Sequence, residues 1–351
     1  MSPPVSLLET ELRQQPEAAD RLLAALLPTL AQWRQRLRAR GSRHLLLVAR
    51  GSSDNAARYA RYLWPVMSGL PVSLAAPSLN TVYERPVDLE GHAVVAISQS
   101  GESPDIVAVV EQARRSARPT IAITNDPASP LADAAEHVLD LRAGPERSVA
   151  ATKTYTASLI AIAALGCALA DPEEDGRSVE HLRRVPSALA ATIEQVTGAE
   201  QAAELLAAHD RAVCVGRGVN MSTAFEAALK ITELSGTLVA PYSPADLMHG
   251  PIAAVGSQVP AILVAPDEPA SASVLQTRGE LRRRDAPVVL LGAETDQQDA
   301  VLIRLPQLAL PGWLSPLPCT VAAQLLAVHA ARLRGVDLDR PSDLTKVTRT
   351  R

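Results

Sequence analysis

Three serines and a glutamine stand within a short stretch that could bind an anion: Ser98, Gln99, Ser100 and Ser103. An apolar run that starts at Val94 precedes them and predicts a strand, and the residues that follow predict a helix. A strand–turn–helix directs backbone N–H groups and a helix N-terminus towards one point, where hydroxyls add further donors. A serine before a helix can instead serve only as its N-cap. The three hydroxyls together with the glutamine favour a phosphate-binding turn.

A second turn of similar composition follows the first apolar run of the chain, residues 44–49. This turn, residues 50–55, contains a glycine and two serines, and a helical pattern begins within it. In parallel α/β sheets, ligands bind beyond the carboxyl ends of the strands. Because both serine-containing turns are predicted at such ends, they can converge on one ligand. Ser53 therefore joins the candidate phosphate-binding residues.

Four other residues have side chains suited to acid–base chemistry. Glu233 lies three residues after Lys230 on a predicted helix, so the two share a face and can address one site, although an exposed ion pair is the other interpretation. His249 lies in a predicted loop, where an imidazole could transfer protons near neutral pH or simply lie on the surface. Lys346 stands in the C-terminal tail, where a lysine is normally solvated. These residues indicate a phosphorylated small-molecule ligand with acid–base candidates nearby.

Short apolar runs separated by helical stretches must position these side chains. Such an alternation predicts an α/β fold, in which right-handed crossovers build a parallel sheet covered by helices on both faces. The pattern occurs twice, so we predict two tandem units of flavodoxin-like, three-layer architecture. The predicted strands are residues 44–49, 72–75, 94–97, 119–124, 137–141, 211–215, 260–265, 288–291 and 301–304. The predicted division is N-terminal helices over residues 1–40, a first domain over 41–178, linker helices and a second domain over 179–338, and a tail over 339–351.

Composition narrows the class of protein. The 351 residues are enough for two domains, and a net charge of −4 without a concentrated basic face argues against nucleic acid. The cysteines, Cys167, Cys214 and Cys319, stand among aliphatic residues and predict buried thiols, and their spacing suggests neither a metal site nor a cofactor. The most apolar run, about 14 residues from 157 to 170, is too short to span a bilayer. With no secretory signal apparent, we expect a cytoplasmic protein.

Eight segments resemble the sugar isomerase (SIS) family, in that family's order, from about residue 40 to 346. The segments are Arg-Gly-Ser-Ser at 50–53, Ile-Ser-Gln-Ser-Gly-Glu-Ser at 97–103, Ala-Gly-Pro-Glu at 143–146, Val-Ala-Ala-Thr-Lys at 149–153, Gly-Arg-Gly at 216–218, Ala-Leu-Lys-Ile-Thr-Glu at 228–233, His-Gly-Pro at 249–251, and Gly-Val-Asp-Leu-Asp-Arg-Pro at 335–341 running on to Lys346. The chain is similar both to stand-alone glucosamine-6-phosphate deaminases and to the isomerase half of glutamine:fructose-6-phosphate amidotransferase. The resemblance implies two SIS domains in tandem.

The resemblance also implies roles for individual residues. The residues that match the family's sugar-phosphate cradle are Ser53, Ser98, Gln99, Ser100 and Ser103, with Thr152 nearby. Glu233 matches the carboxylate that moves a proton between C1 and C2 of the open-chain sugar, and Lys230 matches the lysine beside it. His249 matches a ring-opening histidine that reaches the active site of the neighbouring subunit, which implies a homodimer. Lys346 matches the C-terminal lysine that contacts the sugar carbonyl or forms an imine with it.

Two departures from the amidotransferase bear on the reaction. Ala151 stands where the amidotransferase has a serine, so one hydroxyl contact to the substrate is expected to be missing. The sequence, which begins Met-Ser-Pro-Pro, contains neither the glutaminase domain nor its cysteine nucleophile near the N-terminus. We therefore expect hydrolytic deamination of glucosamine 6-phosphate to fructose 6-phosphate and ammonia.

Several alternatives stay open at this point. One group comprises other enzymes of the fold: a fructosamine-6-phosphate deglycase, a galactosamine- or tagatose-phosphate deaminase-isomerase, or an ammonia-dependent synthase of glucosamine 6-phosphate. Another is a non-catalytic phosphosugar-binding module of the kind attached to transcription regulators. Only about 40 residues precede the first predicted strand and no basic recognition helix is evident, which disfavours the binding module.

Overall fold

Two five-stranded parallel sheets organise the computed structural model, which describes residues 5–170, 175–292, 300–340 and 346. Each sheet lies in its own compact unit. Within the described residues, the first unit comprises Glu17–Glu146 and Lys153–Arg183 together with Lys346, and the second comprises residues 5–16, Arg147–Thr152 and residues 184–340. The predicted α/β fold is confirmed, while the predicted domain boundaries remain a prediction.

The first sheet contains β1 (His44–Val48), β2 (Val72–Leu74), β3 (His92–Ile97), β4 (Thr120–Thr124) and β5 (His137–Asp140). Its strand order is β2-β1-β3-β4-β5 and every neighbouring pair is parallel. The order reverses direction between β1 and β3, so crossovers leave the sheet on opposite faces there and a crevice opens beyond the carboxyl ends of these two strands. Both serine-containing turns follow these strands.

The second sheet contains β6 (Arg211–Val215), β7 (Leu238–Tyr242), β8 (Ala261–Ala265), β9 (Val288–Gly292) and β10 (Val301–Arg304). Its order, β10-β9-β8-β6-β7, reproduces the first sheet strand for strand when it is read from β7. Strand β7 was not predicted from the sequence. Its residues are apolar, but it lies at the sheet edge, contains Pro241, which argues against a central strand, and leaves Leu238 63% exposed.

Helices cover the strands. The α-helices are α1 (Leu7–Arg13), α2 (Gln15–Leu26), α3 (Leu30–Leu37), α4 (Gly51–Ser68), α5 (Ser78–Thr81), α6 (Pro104–Arg115), α7 (Pro130–Ala134), α8 (Lys153–Leu169), α9 (Asp175–Arg183), α10 (Val185–Gln195), α11 (Ala199–Ala207), α12 (Met221–Ser235), α13 (Pro244–Met248), α14 (Ser271–Leu275), α15 (Arg278–Arg283) and α16 (Pro316–Leu333). Short 3₁₀ turns occupy Leu27–Thr29, Ala39–Gly41, Gly218–Asn220, Pro251–Ala254 and Gly312–Leu314.

Two apolar helices are largely buried in their units. Every residue of α8 is buried in the first unit, and α16 packs against α11 and α12 in the second. Among the described residues, the segment Gly312–Leu333 is long and apolar enough to cross a bilayer by length and composition, but 89% of it is buried inside the fold. It is therefore a core helix in this structure.

The three cysteines are buried, as predicted, and none of them forms a disulfide bond. Cys214 lies in β6, and burial raises the pKa of its thiol to about 12. A thiol with so high a pKa stays protonated near neutral pH and behaves as a small apolar side chain.

Candidate functional site

The turn after β3 contains a glycine, Gly101, in a backbone conformation that residues with a side chain rarely adopt. Gly101 has a φ of +64°, and its N–H donates a hydrogen bond to Ser98 Oγ at 3.1 Å. A Cβ at this position would lie 2.1 Å from Ser129 Oγ and 2.5 Å from Ser129 Cβ. A hydrogen bond to Ser98 therefore stabilises the turn on one side, and the loop that contains Ser129 packs against it on the other.

The remaining hydroxyls of this turn are available for a ligand. Ser103 occupies the N-cap position of α6, yet its side chain makes no capping hydrogen bond to that helix. Within the described part of the chain, Ser100 Oγ accepts only a long hydrogen bond from the N–H of Glu102, at 3.4 Å. For Ser103 the alternative of a simple N-cap therefore lacks its defining hydrogen bond.

The turn after β1 lies beside the turn after β3. The sheet register pairs Val48 with Ala96, so the two strands reach their carboxyl ends at nearly the same level. Ser53 is half-buried in the first turn of α4. Across the gap, Arg50 Nε donates to Asp105 Oδ2 at 2.8 Å, which joins the residue before α4 to the first turn of α6. The first unit thus brings Ser53 towards the predicted residues of the other turn.

A buried carboxylate holds Lys346 in the first unit. Lys346 Nζ lies 2.8 Å from Glu146 Oε2, and the side chain of Glu146 is fully buried. Thr154 donates to the same carboxylate through its N–H at 3.1 Å and its hydroxyl at 2.7 Å. A tail lysine would ordinarily be solvated, whereas this one neutralises a buried charge. Glu146 belongs to the Ala-Gly-Pro-Glu motif at 143–146, and the sequence alone indicated no role for it.

In the second unit, Lys230 is a buried cation between two carboxylates. Its side chain is 2% exposed, Glu226 Oε1 lies 3.7 Å from Nζ, and Glu233 Oε2 makes a closer ion pair with Nζ. The three residues are neighbours on one face of α12. A buried ammonium needs such partners to offset its lost hydration. Glu233 is the more exposed of the two carboxylates, so the pair is not the solvated surface bridge that its spacing also allowed.

The two other predicted site residues stand apart within the second unit. His249 follows α13 and is exposed, and its side chain makes no hydrogen bond to Lys230 or Glu233 in the part of the chain described. Thr152 is buried at the end of segment 147–152. The buried carboxylate of Glu11 stabilises this segment by accepting hydrogen bonds from the N–H groups of Arg147 at 2.6 Å and of Ser148 at 3.1 Å. The predicted roles of His249 and Thr152 remain predictions.

The crevice of the second sheet, beyond β6 and β8, carries different residues. Glu268 follows β8, and desolvation by burial raises the pKa of its carboxyl group. Asn220, after β6, donates to Glu268 and, at 2.8 Å, to Ser315 Oγ. A Cβ on Gly312 would lie 2.7 Å from Glu268 Cβ, so the chain packs closely around this carboxyl group. Among the described residues, no cluster of three or more His, Cys, Asp or Glu could hold a metal ion.

The chain matches the SIS domain family over residues 40–168 and 205–312. It is 33% identical over 313 residues to the isomerizing glutamine–fructose-6-phosphate aminotransferase of Zymomonas mobilis, which covers 87% of this chain and 51% of that protein. The chain thus spans about half the length of the curated relative that it matches.

Solved structures share the whole fold. A protein of Silicibacter pomeroyi, provisionally classed as a phosphosugar isomerase, is 32% identical with a TM-score of 0.85, and the match covers 95% of this chain and 100% of that one. Glucosamine-6-phosphate deaminase of Thermotoga maritima superposes with a TM-score of 0.75 over 98% of this chain and 100% of its own, at 21% identity. At that identity the likeness concerns the fold alone.

Proposed function

Because the chain belongs to the SIS domain family of phosphosugar isomerases, we propose that it binds a sugar 6-phosphate and moves a proton between C1 and C2 of the open-chain sugar. The reaction we propose is the deamination of glucosamine 6-phosphate to fructose 6-phosphate and ammonia. One observation carries the proposal: two hydroxyl-rich turns follow the neighbouring strands β1 and β3 at the reversal of strand order, and Ser103 leaves the start of α6 uncapped.

The phosphate-binding role goes to the first unit. A phosphate dianion suits a place where hydroxyls and the N-termini of α4 and α6 offer hydrogen-bond donors. The proposed ligands are Ser53, Ser98, Gln99, Ser100 and Ser103. Thr152 is proposed as a further contact to the sugar.

The proton-transfer role goes to Glu233. Its carboxylate would remove the proton from C2 of the open-chain aldosamine and return it to C1. This shift converts the C2 amine into an imine, which water hydrolyses to the ketone with release of ammonia. The buried ammonium of Lys230 supports the assignment, because its ion pair with Glu233 fixes the position of the carboxylate.

Two further roles complete the proposal. Lys346 would contact the sugar carbonyl, and Glu146 would hold its ammonium group in place. His249 would promote ring opening in the neighbouring subunit of a homodimer, a role that suits its exposure in this chain. A buried histidine could not reach a second subunit.

Substitution of Glu233 by Gln tests the function. We expect ammonia release from glucosamine 6-phosphate to fall by about 10²- to 10⁴-fold, as for loss of a general base, while calorimetric binding of the sugar phosphate stays within a few-fold of wild type. The matched control is Glu194→Gln, which removes an exposed carboxylate on α10 of the same unit and should leave turnover unchanged.

The choice of substrate is decided by the same assay on the wild-type protein. Glucosamine 6-phosphate, galactosamine 6-phosphate and a fructosamine 6-phosphate are each incubated with the protein, and ammonia and ketose phosphate are measured. Turnover confined to a different phosphosugar would replace the proposed substrate. Tight binding of a phosphosugar without turnover of any would point to a binding module, and full activity in Glu233→Gln would remove the proton-transfer assignment.

A further inference from the structure

We infer that Arg50 is a further substrate-binding residue, which Asp105 holds so that its guanidinium group contacts the phosphate beside the serines. The inference rests on the proposed function, because it takes the turns after β1 and β3 as the phosphate site. It adds a cation to a set of ligands that is otherwise made of neutral hydroxyl, amide and backbone donors.

The position of Arg50 brings its side chain to the crevice. Arg50 is the N-cap residue of α4 and has extended backbone angles, so it stands directly between the end of β1 and the N-terminus of that helix. Its partner Asp105 lies in the first turn of α6, which follows the serines of the other turn. The ion pair therefore spans the two turns at the reversal of strand order, where ligands of this kind of sheet bind.

The bonding of the pair leaves donors free. Asp105 is buried, with 2% of its side chain exposed, and its second oxygen, Oδ1, accepts the N–H of Ile106 at 2.9 Å. Arg50 uses Nε for Asp105, and 47% of its side chain is exposed. A guanidinium group has five N–H donors in a rigid plane, so fixing Nε orients the two terminal nitrogens, which have no hydrogen-bond partner among the described residues. Such a fork matches two phosphate oxygens.

Charge supports the same role. A phosphate dianion in this crevice would face neutral hydroxyls, the partial charges of two helix N-termini and the carboxylate of Asp105. A carboxylate alone would repel the ligand, whereas a carboxylate that positions an arginine places a full positive charge next to it. A purely structural role is the alternative, in which Arg50 and Asp105 only tie the two turns together.

Binding measurements on matched arginine variants separate these roles. Isothermal titration with glucosamine 6-phosphate, inorganic phosphate and unphosphorylated glucosamine is carried out on wild type, Arg50→Gln, Arg50→Lys and Asp105→Asn. The control is Arg40→Gln, which removes an arginine of similar exposure that also pairs with a carboxylate, Glu136, but stands before β1 at the opposite end of the strand. Thermal unfolding is recorded for every variant.

We expect Arg50→Gln to weaken both phosphate-containing ligands by roughly 10- to 100-fold, as for loss of a charged hydrogen-bond donor. Arg50→Lys should recover part of this loss, since it keeps the charge and lacks the fork. Asp105→Asn should give a smaller loss than Arg50→Gln, because the cation remains but is less well oriented. Arg40→Gln should bind like wild type.

Equal phosphosugar affinity in wild type and Arg50→Gln, with only a lowered unfolding temperature, would overturn the role of Arg50 and leave the proposed function standing. If wild type binds neither sugar phosphate nor inorganic phosphate, both proposals fail together. Should Arg50→Gln not fold, Arg50→Lys decides: its affinity for both phosphate ligands must fall below that of Arg40→Gln, and equality between these two variants refutes the inference.

Discussion

Replacement of Gly101 by alanine should be among the most damaging single-methyl changes in the first unit. The residue combines two constraints. Its φ of +64° belongs to the left-handed region that disfavours a side chain, and the added Cβ would overlap Ser129 at 2.1 Å from Oγ. Ser129 has little freedom to move, because its hydroxyl caps α7 by accepting the N–H of Ala132 at 3.3 Å.

The expected magnitude follows from these two terms. A left-handed conformation costs about 1–2 kcal/mol for a residue with a Cβ. Forcing a methyl group into a packed contact costs a further ~1–3 kcal/mol. The sum is about 2–5 kcal/mol, and for a unit of this size each kcal/mol lowers the unfolding temperature by roughly 2–4 °C.

Gly69→Ala separates the two terms. Gly69 ends α4 in the same unit with a φ of +70°, and a Cβ there meets nothing within 4 Å. This control carries the backbone strain alone, as well as any gain from a stiffer unfolded chain. Differential scanning calorimetry should place the unfolding transition of Gly101→Ala below that of Gly69→Ala by the packing term, roughly 2–12 °C.

A binding measurement connects the change to the site. The N–H of Gly101 and the hydroxyl of Ser98 move together when the turn shifts, so phosphosugar affinity should fall by about tenfold or more in Gly101→Ala and stay near wild type in Gly69→Ala. Indistinguishable unfolding temperatures for the two variants, with unchanged affinity in both, would show that the contact with Ser129 does not constrain the turn.

Two other predictions concern the second unit. If His249 serves the neighbouring subunit, neither Glu233→Gln nor His249→Gln should be active alone, but a mixture of the two refolded together should regain about a quarter of wild-type activity. Half of the dimers would be mixed, and each mixed dimer would contain one intact site. No recovery in dimers shown to exchange subunits would place His249 in its own subunit's site. Burial raises the pKa of Glu268, so the folded chain favours its protonated form and loses stability as the pH rises through that raised value. Glu268→Gln should therefore unfold at a higher temperature than wild type at pH of about 8 and at a similar temperature near pH 4, and the opposite order would mean that the charged form is the stabilising one.

Local sequence was sufficient for most strands and for the serine turns. Central parallel strands bury both faces, so β1, β3 and β8 stand out as apolar runs, and the turns after them stand out by glycine and serine. The edge strand β7 is also apolar, but Pro241 interrupts its run and the strand was missed. Its half-exposed side chains depend on where the strand lies in the sheet, which periodicity does not report.

The side-chain pairs of the candidate site could not be predicted in the same way. Arg50 and Asp105 are 55 positions apart, and Glu146 and Lys346 are 200 apart. Each pair forms only once the chain is folded, and in the first case once the strand order sets β1 beside β3. The pair of Lys230 and Glu233 is local, and its spacing was read correctly, but its burial depends on helices that pack around α12 from distant parts of the chain.

The repeated strand order places Arg217 in the second sheet where Arg50 stands in the first: each stands two residues after the end of a central strand, has extended backbone angles and precedes a glycine with a positive φ. In the first sheet, Arg50 bridges the loop after β1 and the helix after β3 by pairing with Asp105. In the first sheet the bridging guanidinium retains terminal N–H groups. In the second sheet, the amide of Asn220, three residues after Arg217, donates to Ser315 Oγ at 2.8 Å, and its oxygen accepts the hydroxyl of Thr223 at 3.0 Å. The two copies of this fold therefore share the conformation of this turn but connect it to the neighbouring loops through different side chains.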